Sequence, residues 1–272
     1  MAENGNPSQA GESDIFTRIV THVVEQVGRA KTESWPFQHF QIEQVFPEDI
    51  YEQILSNLPA KSCYRPFNIK RWRNDYGEST RDCLCLSEGE LDRIDEAQRP
   101  FWGSVARALE SPALQRAVYM RLAEDIGIRL GCDKGEALQS EAHANVMLIR
   151  DYKDYRIRPH PDGKPRVVTM QIYLPHDNSA TDLGTSLYTR QSLPYRVIGH
   201  PFKEAKRFPF KPNFGYAFAV NDSPQRQSLH GRELIAAEDT VRDSILLSWL
   251  SRWIAVGQKH AALVGTATGE PV

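Results

Sequence analysis

Along the first 130 residues, the apolar positions fall at helical spacing. Ile15, Ile19, Val23 and Val27 recur every four residues behind Ser13 and Asp14, either of which can cap a helix. Trp35-Pro36 ends that element, Phe37 to Val45 reads as a short extended stretch, and Pro47 opens a second helix carrying Ile50, Ile54, Leu55 and Leu58. From Cys63 to Ser87 arginines, aromatics and turn residues predominate, and the segment reads as extended or looped. Glu88 to Leu130 is helical in character, with Leu91, Ile94, Trp102, Val105, Leu109, Leu114, Val118, Leu122 and Ile126 as buried stripes. A break is expected at Ser111-Pro112.

After Gly131 the period shortens. Val146 to Ile149, Val167 to Leu174, Phe214 to Val220 and Ile245 to Leu250 are short runs of β-branched or aromatic residues between Pro, Gly, Asp and Asn turns. In the second run Val168, Met170, Ile172 and Leu174 alternate with Val167, Thr169, Gln171 and Tyr173, so one face is apolar and the other carries polar groups. Polar groups on a strand need water or a pocket on that side. Helices first and strands second predict a mainly β (α+β) fold, a sandwich or barrel buttressed by N-terminal helices. The expected boundaries are a disordered tail at 1–13 and one domain at 14–258, with helical support over 14–131 and a β core over about 140–254. A flexible tail is expected at 259–272. The polar stretch from Thr181 to Arg207 reads as a loop over the active site.

Composition adds little. Hydrophobic residues at 40% and charged residues at 25% are ordinary for a globular protein, and a net charge of −2 suggests no nucleic-acid partner. Cys63, Cys83, Cys85 and Cys132 lack metal-site spacing and read as free thiols of a reducing compartment. No apolar run suits a membrane span, and the N-terminus has no hydrophobic signal core, so a cytoplasmic location is expected. The cluster of Arg65, Lys70, Arg71, Arg73 and Arg81 reads as a solvated face, with an anionic substrate group as the alternative.

His160-Pro161-Asp162 precedes the Gly163-Lys164-Pro165 turn and the alternating strand. Alone it is weak, since an H-x-[DE] arises by chance roughly once in such a chain. The context strengthens it. His230 follows Asp162 by 68 residues, and Arg242 follows His230 by 12, at the start of the last predicted strand. Two histidines and one carboxylate on a metal leave three positions open, which suits non-haem iron(II) binding oxygen and a chelating co-substrate together. Arg242 offers a planar fork for a carboxylate, the alternative being an ion pair with Asp243 or Glu238.

The order H-x-D, His-Gly, Arg-x-Ser resembles the 2-oxoglutarate/iron(II) oxygenases, particularly their prolyl-hydroxylase-like branch, over roughly Asn145 to Trp249. "LIRDYKDYRIRPHPD" is similar to the segment leading into the first metal histidine, "RVVTMQIYLP" to the strand after it, and "DLGTSLY" to the following turn and strand. The resemblance implies a double-stranded β-helix, a cupin-like jelly roll. It implies Fe(II) on His160, Asp162 and His230, 2-oxoglutarate as co-substrate and O2 as oxidant, yielding succinate and carbon dioxide. Arg242 would hold the far carboxylate of 2-oxoglutarate, with Tyr173 bonded to it, Thr169 lining the same wall and Ser244 within reach. A family tyrosine about ten residues before the first histidine has its place near Arg150 here, with Asn145 as the alternative, and the glycine-rich turn of many relatives is missing. A carboxylate at Asp162, where halogenating relatives carry a small residue, implies hydroxylation or desaturation. The expected substrate is a small metabolite or natural-product intermediate, and the oligomeric state stays open. A metal-binding cupin-like protein, an isomerase or sugar binder, is the rival reading.

Overall fold

Pro100 lacks an amide hydrogen and cannot sit inside a helix, so the segment expected to be helical from Glu88 divides there. The computed structural model describes residues 7–67, 69–87, 89–223, 226–238 and 240–251, without the side chains of residues 7–13 and Arg71. Among the described residues of that segment, a 3-10 turn at Leu91–Arg93 stands ahead of Pro100; helix α3 (Arg99–Leu109) takes the proline in its first turn. The break at Ser111-Pro112 lies where expected: the Ser111 hydroxyl accepts from Leu114 N and opens α4 (Pro112–Leu130), which Gly131 closes at φ +70°. Helix α1 (Pro7–Arg29) corrects the expected tail, since residues 7–13 are helical, and α2 (Glu48–Ser56) follows Pro47 as predicted. The short α5 (Lys134–Gln139) carries a capping box between Asp133 and Glu136. The far end of the expected core, 252–254, and the expected tail 259–272 lie outside the described residues.

The strands form two antiparallel sheets. They are β1 (Thr32–Glu33), β2 (His39–Ile42), β3 (Arg65–Pro66), β4 (Arg81–Cys85), β5 (Ala142–Asp151), β6 (Ile157–His160), β7 (Arg166–Tyr173), β8 (Ser186–Arg190), β9 (Phe202–Arg207), β10 (Gly215–Ala219), β11 (His230–Arg232) and β12 (Arg242–Ser251). The larger sheet runs β1-β2-β10-β7-β12-β5-β4-β3, the smaller β6-β11-β8-β9. This is the double-stranded β-helix arrangement expected from the sequence. The expected loop at 181–207 is instead mostly the β8–β9 hairpin, with a short helix α6 (Leu193–Val197) at its tip. Edge strand β9, FKEAKR, reads as polar because its charges blunt an open edge.

Alternation divides the larger sheet by face. Val168, Met170 and Ile172 of β7, with Ile245, Leu247 and Trp249 of β12, join the cluster containing Ile19, Val23, Val27, Val118 and Leu122 of the helices. On the other face two smaller clusters form. Tyr173, Tyr216, Phe218 and Phe208 build one, while Met147, Ile149, Cys83, Trp72 and Tyr155 build the other. Between them, on the central strands β7 and β12, lie buried Thr169, Gln171, Ser244 and Ser248. The polar face inferred from alternation is therefore a sealed polar seam. The four cysteines are free, and no helix among the described residues is long and apolar enough to cross a membrane.

Asn213 fastens the approach to β10. It is buried at φ +55°, its amide donating to Phe46 O and accepting from Phe46 N, both at 2.8 Å. Asn213→Ala is expected to lower the unfolding free energy by about 3 kcal/mol, from two lost buried hydrogen bonds and a left-handed backbone. Asn213→Gly, which relieves the backbone alone, should recover about 1 kcal/mol of that. Urea unfolding of the three proteins measures both.

Candidate active site

His160 ends β6 and His230 begins β11, and the two are register partners across the smaller sheet. Their rings stand 4.6 Å apart between centroids. This close pairing needs Gly231, since a Cβ there would lie 2.7 Å from Ile157 O and 3.1 Å from Pro159 N. Each histidine Nδ1 faces the carbonyl two residues back, Arg158 O for His160 and Ser228 O for His230, both at 3.0 Å. With Nδ1–H donating there, the lone pair sits on Nε2, the tautomer a metal ligand requires. The two Nε2 atoms lie 4.0 and 3.8 Å from Asp162 Oδ1. Among the described residues this is the His/Cys/Asp/Glu cluster with metal-ligand spacing, all ligand atoms within 4.8 Å of one another.

Asp162 is buried and held from two sides. Arg166 Nη1 donates to Oδ1 at 2.7 Å, and Thr169 Oγ1 donates to Oδ2 at 2.6 Å. Burial pushes its pKa up, but Arg166, His230, Thr169 and His160 together outweigh that and keep the carboxyl well below the usual range. Thus Asp162 is a permanent anion facing two imidazole rings. Such a set fits a divalent first-row metal with open positions, iron(II) included. The side chains of Asp162 and His230 are 7% and 11% exposed and that of His160 28%, so the cluster opens to solvent past His160.

His230 is placed through the chain ahead of it. Asn221 and Ser228 bond to each other three times, through Asn221 N→Ser228 Oγ and Ser228 N→Asn221 O, both at 2.9 Å, and Ser228 Oγ→Asn221 O at 3.2 Å. Asn221 Nδ2 also donates to Asp125 O of α4, and Arg226 Nη1 meets Asp125 Oδ1 at 2.6 Å. Buried Asp125 further accepts from Gln38 N beside β2. Burial raises its pKa, against the opposing pull of Gln38 and Arg226.

The other end of the seam is cationic. Arg242 is fully buried, but neither Asp243 nor Glu238 is its partner: those pair with Arg150 and Lys153. Its Nη1 donates to Asp151 Oδ2 at 2.7 Å, its Nε to Leu183 O at 2.8 Å and its Nη2 to Thr185 Oγ1 at 3.3 Å. Its guanidinium lies over the Tyr173 ring at 4.8 Å. Asp151 is shared with Arg81, whose Nε lies 2.7 Å from Oδ1. Arg81 thereby leaves the solvated face expected for it, being 13% exposed and bonded to the Tyr155 hydroxyl. A third arginine, Arg232, is 5% exposed and donates only through Nη1, to Gly184 O at 3.3 Å.

The remaining sequence candidates have definite partners. Thr169 orients Asp162, a role different from the wall position expected for it. The Tyr173 hydroxyl donates to Thr185 Oγ1 and accepts from Thr185 N. Ser244 accepts from Gln171 Nε2 at 2.9 Å, and Gln171 Oε1 accepts from Tyr216. Asn145 is in register with Ser248, itself opposite Thr169, and faces the Cys85 thiol; Arg150 instead lies against Asp243 and Tyr64. Arg166, Gln171, Thr185, Asp151 and Arg232 were not singled out by sequence. Only Gln171 carried a signal, its place on the polar face of β7.

No family model matches the chain, and no curated protein matches it. Solved structures do. A prolyl hydroxylase from Trichoplax adhaerens, in complex with a hypoxia inducible factor peptide, aligns over 94% of this chain and 99% of its own, at TM-score 0.50 and 14% identity. A prolyl-4-hydroxylase from Pseudomonas putida aligns over 86% of this chain and all of its own (TM-score 0.46, 14%), and a 2OG-Fe(II) oxygenase family protein from Burkholderia pseudomallei over 92% of each (0.43, 11%). The fold is the double-stranded β-helix seen in the Trichoplax prolyl hydroxylase. Gly231→Ala, by forcing β6 from β11, is expected to weaken Mn(II) binding at least tenfold while leaving far-ultraviolet dichroism unchanged; a manganese titration followed by electron paramagnetic resonance checks it.

Proposed function

We propose that this chain is an iron(II)- and 2-oxoglutarate-dependent oxygenase that hydroxylates a C–H bond of a small metabolite or natural-product intermediate. The observation that carries the reading is the His160, Asp162 and His230 cluster at one end of a sealed polar seam whose other end is cationic. Bound there, iron(II) with 2-oxoglutarate supplies the oxidising chemistry, O2 being consumed and succinate and carbon dioxide released along with the hydroxylated product.

The residues divide the remaining work. Two neutral imidazoles and one carboxylate neutralise part of the ion's charge and leave positions for co-substrate and oxygen. Arg166 and Thr169 hold Asp162 in one orientation, and the carbonyls of Arg158 and Ser228 hold the imidazole tautomers. Tyr173, Ser244 and Arg242 form the buried floor of the seam at its cationic end. Gln171, bonded to Ser244 and Tyr216, ties that floor across β7. The apolar clusters on both sides of the seam exclude water, which strengthens every charge interaction inside. Substrate approaches past His160, the exposed edge of the triad, and that restricted opening suits a small molecule.

Anaerobic addition of iron(II) and 2-oxoglutarate to the wild type should give the weak visible charge-transfer band of the chelated co-substrate, and admission of air should yield succinate. His230→Ala should abolish both. Metal binding without a band would favour a cupin-like metal protein, and absence of metal binding would remove the proposal.

A further inference from the structure

Three arginines and one aspartate meet at the closed end of the seam. Asp151 is shared by Arg81 and Arg242, and each guanidinium nitrogen of Arg242 already donates once, to Asp151, Leu183 or Thr185, which leaves it one N–H on each Nη and no unpartnered nitrogen. Arg232 is different. It is 95% buried, yet its Nε and Nη2 have no hydrogen-bond partner, and its single bond, to Gly184 O, is long at 3.3 Å. A buried cation left this way is costly unless an anion completes it. Its position suits a ligand held at the triad. Arg232 lies two residues from His230 on β11, so both side chains point to the same face. Two residues of strand span about 6.6 Å, the scale of an extended five-carbon chain. Both Arg232 and Arg242 also bond to the same turn, residues 183–185.

We propose that Arg232, not Arg242, supplies the free guanidinium edge that grips the distal carboxylate of 2-oxoglutarate, and that Arg242 is a positioning residue held by Asp151. The proposal rests on the oxygenase reading above. Nε and Nη2 form one edge of the guanidinium plane, and two parallel donors on one edge match the two oxygens of a carboxylate. Arg232 is thus the residue that distinguishes a 2-oxo diacid from a 2-oxo monoacid.

The test compares 2-oxoglutarate with 2-oxovalerate, in which a methyl group stands where the distal carboxylate would be. Anaerobic iron(II)-loaded protein is titrated with each acid, and the dissociation constants are read from the charge-transfer band. Wild type should prefer 2-oxoglutarate by at least about 100-fold. Arg232→Met should bring that ratio below about tenfold with 2-oxovalerate binding unchanged, and Arg232→Lys should restore part of the preference. Without ligands, Arg232→Met should melt at the wild-type temperature or above it, because the arginine has no anion of its own there, whereas Arg242→Met should melt lower, because Asp151 Oδ2 and the Leu183 carbonyl lose their donor. An Arg232→Met protein that keeps the wild-type ratio, or that loses stability as Arg242→Met does, overturns the proposal. If wild type gives no band with either acid, the oxygenase reading itself fails, an outcome visible before any variant is made.

Discussion

Ten consecutive residues of β12 are hydrogen-bonded to β5, and the run Ser244–Leu250 is also paired to β7. A strand locked on both edges cannot slip, because a one-residue shift would exchange its two faces. Ile245, Leu247 and Trp249 must then meet the helices, and Arg242, Ser244 and Ser248 must turn into the sealed interior. The polar seam follows from that register. So does the position of Asp151, which faces Arg242 as its register partner at the end of β5.

Burying so much charge is unfavourable in a low-dielectric interior unless partners are shared. The fold meets this by using each anion twice: Asp151 serves two arginines, and Asp162 takes Arg166 and Thr169 on its two oxygens while facing both histidines. The aromatic rings add a second layer, with Arg242 over Tyr173 and Arg81 over Tyr155. Arg232 keeps two of its three nitrogens without a partner.

Much of this was legible in the residues because it rests on periodicity. The fourfold spacing of Ile19, Val23 and Val27 and the twofold alternation of Thr169, Gln171 and Tyr173 each identify a buried face. His160, Asp162 and His230 were legible as a set from order and residue type, and the structure brings them together. The smaller sheet was not, since IRPH, HGR and FKEAKR are short and polar and owe their strand form to neighbours distant in sequence. Arg232 was hidden for the same reason: without a strand at 230–232 nothing places it on the face of His230. Nor does spacing foretell that Arg242 would take Asp151, 91 residues away, over the adjacent Asp243.

The bonds from Asp125 to Arg226, Asn221 and Gln38 carry a wider meaning for the architecture. They run from a helix of the supporting layer to the segment that aims His230, so that layer and the histidine end of the barrel form one heritable unit. Grafting the β core onto a different helical support, or recombining it with a relative's N-terminal half, would have to carry Asp125 along with its partners. A chimera that ignored them would inherit the barrel without the aim of its second imidazole.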